Sequence, residues 1–194
     1  MKQNLLTNDT ETIRKIILSC QEGDQEAFQQ LFLLYKDRVY SLALHFSNNE
    51  NIVADITQTV FLKLFIKTKE FRFDSDFNTW LYRIVVNECI EQHRKEQRFL
   101  PFILEKMSKL FYRDSHDAKL LRKQARTEIQ AVVAGLDIKL KLPVILKYIE
   151  DLSYEEIAEI VGCSKGTVAS RLNRAHKILS QKLAHLEIVL GEIQ

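Results

Sequence analysis

Glycine and proline are scarce, 5 and 2 in 194 residues, so few positions suit tight turns. The three cysteines, Cys20, Cys89 and Cys163, are odd in number, far apart and without CxxC spacing. That argues against a disulfide framework or a zinc site and fits a reducing, cytoplasmic setting. Long apolar runs are missing too. The most hydrophobic stretch, Phe99–Tyr112, is broken by Glu105, Lys106 and Lys109, well short of the roughly 20 residues a bilayer span needs. The first ten residues are polar, so neither a signal peptide nor membrane insertion is expected. No charge of one sign dominates: a net +2 does not announce a nucleic-acid binder, and any such role must rest on where the basic residues sit. Catalytic apparatus is also missing. His45, His93, His116, His176 and His185 are scattered, there is no glycine-rich phosphate loop, and no Ser, Cys or carboxylate stands in a recognisable catalytic context. No enzyme activity, cofactor or metal is therefore expected.

What is present is the vocabulary of helices. Leu, Ile, Lys, Glu, Gln and Ala dominate a chain that is 46% hydrophobic, which predicts an all-α protein. A short helix is expected from about Thr10 to Cys20, closed at Glu22-Gly23. Asp24 then caps a second helix in which Ala27, Phe28, Leu31, Phe32, Leu34, Tyr35, Val39, Leu42 and Ala43 recur at three- and four-residue steps, a wide buried face. After the polar Ser47-Asn48-Asn49 break, Ile52 to Phe71 repeats the pattern. Val53, Ile56, Val60, Leu64 and Phe65 point inward there, and Asp55, Gln58, Lys63 and Lys67 outward. A polar loop, Arg72 to Asn78, precedes a helix from about Thr79 to Arg98 that is apolar early (Trp80, Leu81, Ile84, Val85) and basic late (His93, Arg94, Lys95, Arg98). The aperiodic stretch 99–125, interrupted by Pro101, reads as a linker with room for a short helix. Four helices follow, near 126–134, 138–149, 154–161 and 165–185. Two small helical domains are expected, 1–98 and 126–194, joined by the linker 99–125.

The segment 152–172 carries the most information. Ser153 and Glu156 stand at the spacing of a capping box, marking a helix start. Ile157, Ala158 and Val161 give that helix an apolar face, Gly162 ends it, and Ser164 caps a second helix with a buried stripe of Val168, Leu172, Ala175 and Leu179. A short glycine turn between two such helices is a helix-turn-helix pattern. At about 100° per residue, Ser170 and Lys177 point away from the stripe, flanked by Asn173 and Arg174, with Arg171 nearer the edge. Such a face suits a major groove: Arg can read guanine, Asn adenine, while Lys, Ser and the helix N-terminus can hold phosphate. The plainer reading of the same residues is a solvated helix face.

Leu152-Ser153-Tyr154-Glu155-Glu156-Ile157-Ala158, with Gly166-Thr167-Val168 and Ser170-Arg171-Leu172, closely resembles the C-terminal promoter-binding region of extracytoplasmic-function (ECF) sigma factors of the sigma-70 class. The first half resembles the same family independently. Asp55-Ile56-Thr57-Gln58-Thr59-Val60-Phe61 is similar to its core-polymerase-binding helix, and Phe77-Asn78-Thr79-Trp80-Leu81-Tyr82-Arg83-Ile84 with Asn87 to its promoter-melting helix. The resemblance implies a subunit that grips the clamp helices and flap of core RNA polymerase, melts promoter DNA and is held by an anti-sigma factor. It assigns polymerase contact to Asp55, Gln58 and Phe61. Phe73, Asp74, Ser75, Asn78, Trp80, Arg83, Asn87 and Arg94 would capture the minus-ten element, and Lys165, Thr167, Ser170, Arg171, Asn173, Arg174 and Lys177 would read the minus-thirty-five element. Trp80 has a second reading as core, in register with Ile84, as Phe73 has as a hydrophobic staple and Asp55 as an ordinary solvated acid.

Four positions depart from the family pattern. Thr59 stands where an acid is usual, Phe73 replaces a small loop residue, Ala169 occupies a commonly basic place, and Asp137 one where proline often follows leucine. The segment Phe99–Tyr112 is also unusually hydrophobic for a linker and could pack on a domain or partner. The rival reading is a helix-turn-helix regulator that binds an operator without polymerase. It gives the Asp55–Gln58 and Trp80 helices no task of their own.

Overall fold

The computed structural model describes residues 10–47, 49–99 and 118–191. The described residues form eight α-helices: α1 (Thr10–Gln21), α2 (Gln25–Phe46), α3 (Glu50–Lys67), α4 (Phe77–Phe99), α5 (Ala118–Ala134), α6 (Ile138–Tyr148), α7 (Tyr154–Val161) and α8 (Lys165–Gly191). Among the described residues there is no strand. The chain divides into two compact units at Cys89/Ile90, inside α4.

In the first unit the helix ends are set by short polar side chains. Asp24 accepts from the backbone N–H groups of Glu26 and Ala27 at 2.8 and 3.2 Å, and Asn49 accepts from Asn51 at 3.0 Å. Each satisfies donors that the first turn leaves without helical partners. Gly23, at φ +93°, makes the tight α1–α2 turn that a side chain would strain. Helices α1, α2 and α3 pack in succession, and the resulting core contains Ile17, Leu31, Val39, Leu42, Val53, Ile56, Val60, Leu64 and Leu81, all essentially inaccessible. Burial of each large aliphatic side chain stabilises the bundle by about 1.5–3 kcal/mol. Helix α4 joins α2 through the Tyr35–Phe77 ring contact at 5.3 Å and Arg38 over the Tyr82 ring at 4.8 Å. It joins α3 through an ion pair of Lys63 with the buried Glu88. Burial pushes the Tyr35 hydroxyl up to about 12 and raises the Cys20 thiol.

Three expected inward residues face out. Phe65 is 53% exposed, Phe32 38% and Leu34 41%, because α2 and α3 each meet their neighbours along a narrower stripe than their apolar residues span.

In the second unit α5, α6 and α7 pack on α8 around Leu136, Leu142, Ile145, Leu146, Ile157, Ile160, Val168, Leu172 and Ala175. Asp137 caps α6 by accepting from the Lys139 N–H at 2.8 Å, so the acid does at this helix start what its departure from proline allows. His185 meets Glu128 at 2.7 Å and ties α8 to α5. Helix α5 begins at Ala118, inside the stretch expected to be linker. Pro101 and Phe99–Tyr112, apart from Phe99 itself, lie outside the described residues.

Candidate nucleic-acid and protein interfaces

The α7–α8 pair is built as the sequence predicts. The Ser153 hydroxyl accepts from the Glu156 N–H at 3.2 Å, and the Glu156 carboxylate accepts from the Ser153 N–H at 2.7 Å. The capping box is complete. The Ser153 hydroxyl also donates to the Glu156 carboxylate, at 2.6 Å, and this bond, with that from the Ser153 N–H, holds the Glu156 carboxyl below the usual carboxylate range. Gly162 closes α7 in the left-handed conformation, φ 65°, and Ser164 accepts from the Thr167 N–H at 3.2 Å to open α8. Val168, Leu172 and Ala175 are buried against Ile157 and Ala158. Ile160, which the sequence reading left out, completes the apolar face of α7 in place of the half-buried Val161.

The residues assigned to the outer face of α8 fall into two groups. Asn173, Arg174 and Lys177 are exposed, and among the described residues nothing bonds or pairs with them. The others are already engaged. Lys165 pairs with Glu155, and that hydrogen bond lowers the Glu155 carboxyl. The Thr167 hydroxyl bonds the Ser164 hydroxyl at 2.9 Å, and Ser170 donates back to the Thr167 carbonyl at 2.9 Å. Arg171, half-buried, donates to Cys163 Sγ at 3.8 Å. Glu155, unnoticed as a partner in the sequence, lies ten residues from Lys165, beyond the reach of any helical spacing rule.

In the first unit, the loop before α4 is an aromatic cluster. Phe71, buried, contacts Phe73 at 4.8 Å, Phe77 at 5.6 Å and Trp80 at 4.8 Å between ring centroids. Trp80 is half-buried against this cluster rather than enclosed in the core. Phe73 is also half-buried, with φ 60°. Asp74 is exposed and Ser75 half-buried; Asn78 is half-buried, and its N–H donates to the Asp76 carboxylate at 2.8 Å. Asp76 thus caps α4, an Asp-x-Asn signal that was available in the sequence and was read only as polar loop. Along α4, Arg83 is half-buried and Asn87 exposed, while Arg94 is exposed and paired with Glu91 at 2.9 Å.

On α3, Asp55 and Gln58 are exposed as expected. Phe61 is mostly buried, 7% exposed, and packs edge-on against Phe32 at 4.7 Å. It follows Val60 and precedes Leu64 on the stripe facing α2, and its remaining exposed edge lines a surface groove. That groove is apolar, about 510 Å³, lies between α2 and α3, and is lined by Phe28, Phe32, Tyr40, Thr57, Gln58, Phe61, Leu62 and Phe65 among others. The outward hydrophobics of α3, Leu62, Phe65 and Ile66, were its sequence signal. Among the described residues no cluster of His, Cys, Asp or Glu could hold a metal ion, and no helix is long and apolar enough to cross a membrane.

Comparison with known proteins accounts for both units. The sigma-70 region 2 family matches residues 31–99 and the sigma-70 region 4 family residues 126–179. The chain is 32% identical over 184 residues to the ECF RNA polymerase sigma factor SigW of Bacillus subtilis, covering 90% of this chain and 98% of that one. It is 31% identical over 184 residues to the ECF RNA polymerase sigma-E factor of Escherichia coli K12, covering 90% and 96%. Among solved structures it is similar to CnrH in complex with the cytosolic domain of CnrY, with TM-score 0.65 and 25% identity over 89% of this chain and 97% of that one. It is similar also to the sigma factor RpoE of Bartonella quintana in complex with the anti-sigma factor NepR, with TM-score 0.62 and 26% identity over 81% and 96%. Two sigma-70 regions in sequence order, and relatives matched along almost their whole length, place this chain in the family of ECF RNA polymerase sigma factors.

Proposed function

We propose that the chain directs core RNA polymerase to a set of promoters and starts transcription there by binding and opening their DNA, with no catalysis of its own. The exposed face of α8, with Asn173, Arg174 and Lys177, reads the duplex minus-thirty-five element from the major groove. The loop carrying Phe73, Asp74, Ser75 and Asn78, backed by Trp80 and followed by Arg83, Asn87 and Arg94, captures an unstacked base of the minus-ten element and the adjoining phosphates. Asp55, Gln58 and the apolar groove beside them meet the clamp helices of core polymerase, the polar groups supplying register and the groove supplying burial. The working compartment is the cytoplasm, where polymerase and promoter are found. An anti-sigma factor is the expected regulator, by analogy with the relative found in complex with one.

The observation that carries this reading is the coexistence of a capped helix-turn-helix presenting unpaired Arg174 and Lys177 with a separate unit that presents an aromatic loop and an apolar groove. A stand-alone operator-binding regulator has no use for the second. The test is run-off transcription by purified core polymerase with and without the chain. Alongside it, Asp55→Ala should weaken core binding and leave upstream-duplex binding intact, and Arg174→Ala should do the reverse. Equal losses of both affinities in both variants refute the division of tasks.

A further inference from the structure

Helix α1 packs on α2, and two of its side chains also reach the chain between α3 and α4. Gln21 donates its amide to the carbonyls of Thr68 at 3.0 Å and Phe71 at 2.7 Å, fixing the backbone just ahead of the loop before α4. Arg14, seven residues earlier and so on the same face of the helix, places its guanidinium 4.5 Å from the centre of the Phe73 ring. Phe73 is held in the left-handed region, φ 60°. A bulky residue adopts that conformation only when its surroundings impose it. The surroundings are the Phe71 ring on one side, at 4.8 Å, and the Arg14 cation on another.

We propose that Arg14 is a positioning residue for base selection: by holding the ring of Phe73 it fixes one wall of the base-accepting loop and sharpens discrimination at the minus-ten element. This rests on the reading of that loop as the minus-ten reader. A wall locked in place penalises a base of the wrong shape, whereas a ring free to swing makes room for it. Arg14 acts through Phe73, so its contribution is to selectivity rather than to the affinity common to all promoters. That separates it from a phosphate contact, which would weaken every sequence alike and change the salt dependence.

The test uses the full chain with core polymerase on promoters carrying each of the four bases in turn along the minus-ten element, read as the ratio of best to worst transcription. Arg14→Ala should lower that ratio roughly two- to fivefold, the worth of a surface cation–π contact, and Arg14→Lys, which keeps the cation, should retain most of it. Phe73→Gly removes the ring while glycine keeps the left-handed backbone. It should lower the ratio too, and the double variant should fall no further than Phe73→Gly alone. A uniform loss on all promoters in Arg14→Ala, or losses that add in the double variant, overturns the proposal. If Phe73→Gly alters the ratio and Arg14→Ala does not, the role of Arg14 fails and the loop reading stands. If Phe73→Gly leaves the ratio unchanged, the loop reading fails as well.

Discussion

Replacing Lys63 should destabilise the first unit far more than replacing Lys63 and Glu88 together. Glu88 lies on α4 with its side chain 5% exposed, and its charge partner Lys63 comes from α3 with 39% exposure. Lys63→Met strands a carboxylate in the interior. Breaking one side of a fully buried pair costs about 3–5 kcal/mol, and partial hydration of the ammonium reduces this to about 2–3 kcal/mol here. Glu88→Gln keeps an acceptor for the lysine and should cost only about 1 kcal/mol. Lys63→Met with Glu88→Leu replaces both charges by apolar groups of similar size and should lie within about 1 kcal/mol of the parent. The single tryptophan, Trp80, sits in the same unit, so its fluorescence during thermal unfolding reports this unit rather than the helix-turn-helix. At about 4–8 °C per kcal/mol for a unit this size, Lys63→Met should lower the midpoint by about 8–24 °C and the double variant by no more than about 8 °C. If the double variant is destabilised as much as the sum of the two single changes, the ion pair contributes nothing beyond its parts and the argument from burial is wrong.

Three further outcomes are expected. The capping-box bonds lower the Glu156 carboxyl, so its share of stability is present above the unfolded value of about 4.3 and is lost as pH falls through the lower folded value; amide-exchange protection of α7 should separate parent from Glu156→Gln near neutral pH and converge in acid. Glu155→Gln frees Lys165 and removes a carboxylate beside the recognition face, so binding to a minus-thirty-five duplex should tighten roughly two- to threefold, most at low salt; unchanged affinity at low salt would show that Lys165 does not approach DNA. Lys177→Ala should weaken binding about evenly across upstream sequences and reduce the salt slope by about one, and a sequence-selective loss would instead make Lys177 a base reader.

The helix-turn-helix was legible almost atom for atom because each of its parts is a local signal: Ser153 with Glu156, Gly162, Ser164, and a stripe at three- and four-residue steps. The order and type of the helices followed in the same way from periodicity and caps. What sequence could not supply was whatever depends on residues far apart in the chain. Phe61 and Phe65 are both apolar residues of α3 and each meets a phenylalanine of α2, Phe32 and Phe28, yet one is buried and the other more than half exposed. The hold of Arg14 on Phe73 spans 59 positions of sequence and obeys no spacing rule. The start of α5 at Ala118 could not be fixed from sequence because Leu120 and Leu121 lie among charged residues that mask any period.

The split among the α8 residues bears on how a promoter would be chosen. Arg174, Asn173 and Lys177 meet no partner within the described protein, so whatever they gain on DNA is gained in full. Lys165 and Arg171 must first leave Glu155 and Cys163. Both are weakly held: Lys165 and Glu155 are each more than 60% exposed, where solvent screens an ion pair, and a thiol sulfur is a poor acceptor. An exchange of Glu155 for a phosphate is therefore feasible, but it leaves a carboxylate facing the DNA backbone and yields only a difference between two contacts. On the reading proposed above, the first turn of α8 sets the register of the helix while its middle turns supply most of the affinity. The binding strength of the free second unit is then modest, because two unpaired cations, Arg174 and Lys177, release few counterions. Tight, selective promoter use must come from joining that contact to the one made by the aromatic loop of the other unit, held at a fixed spacing by polymerase.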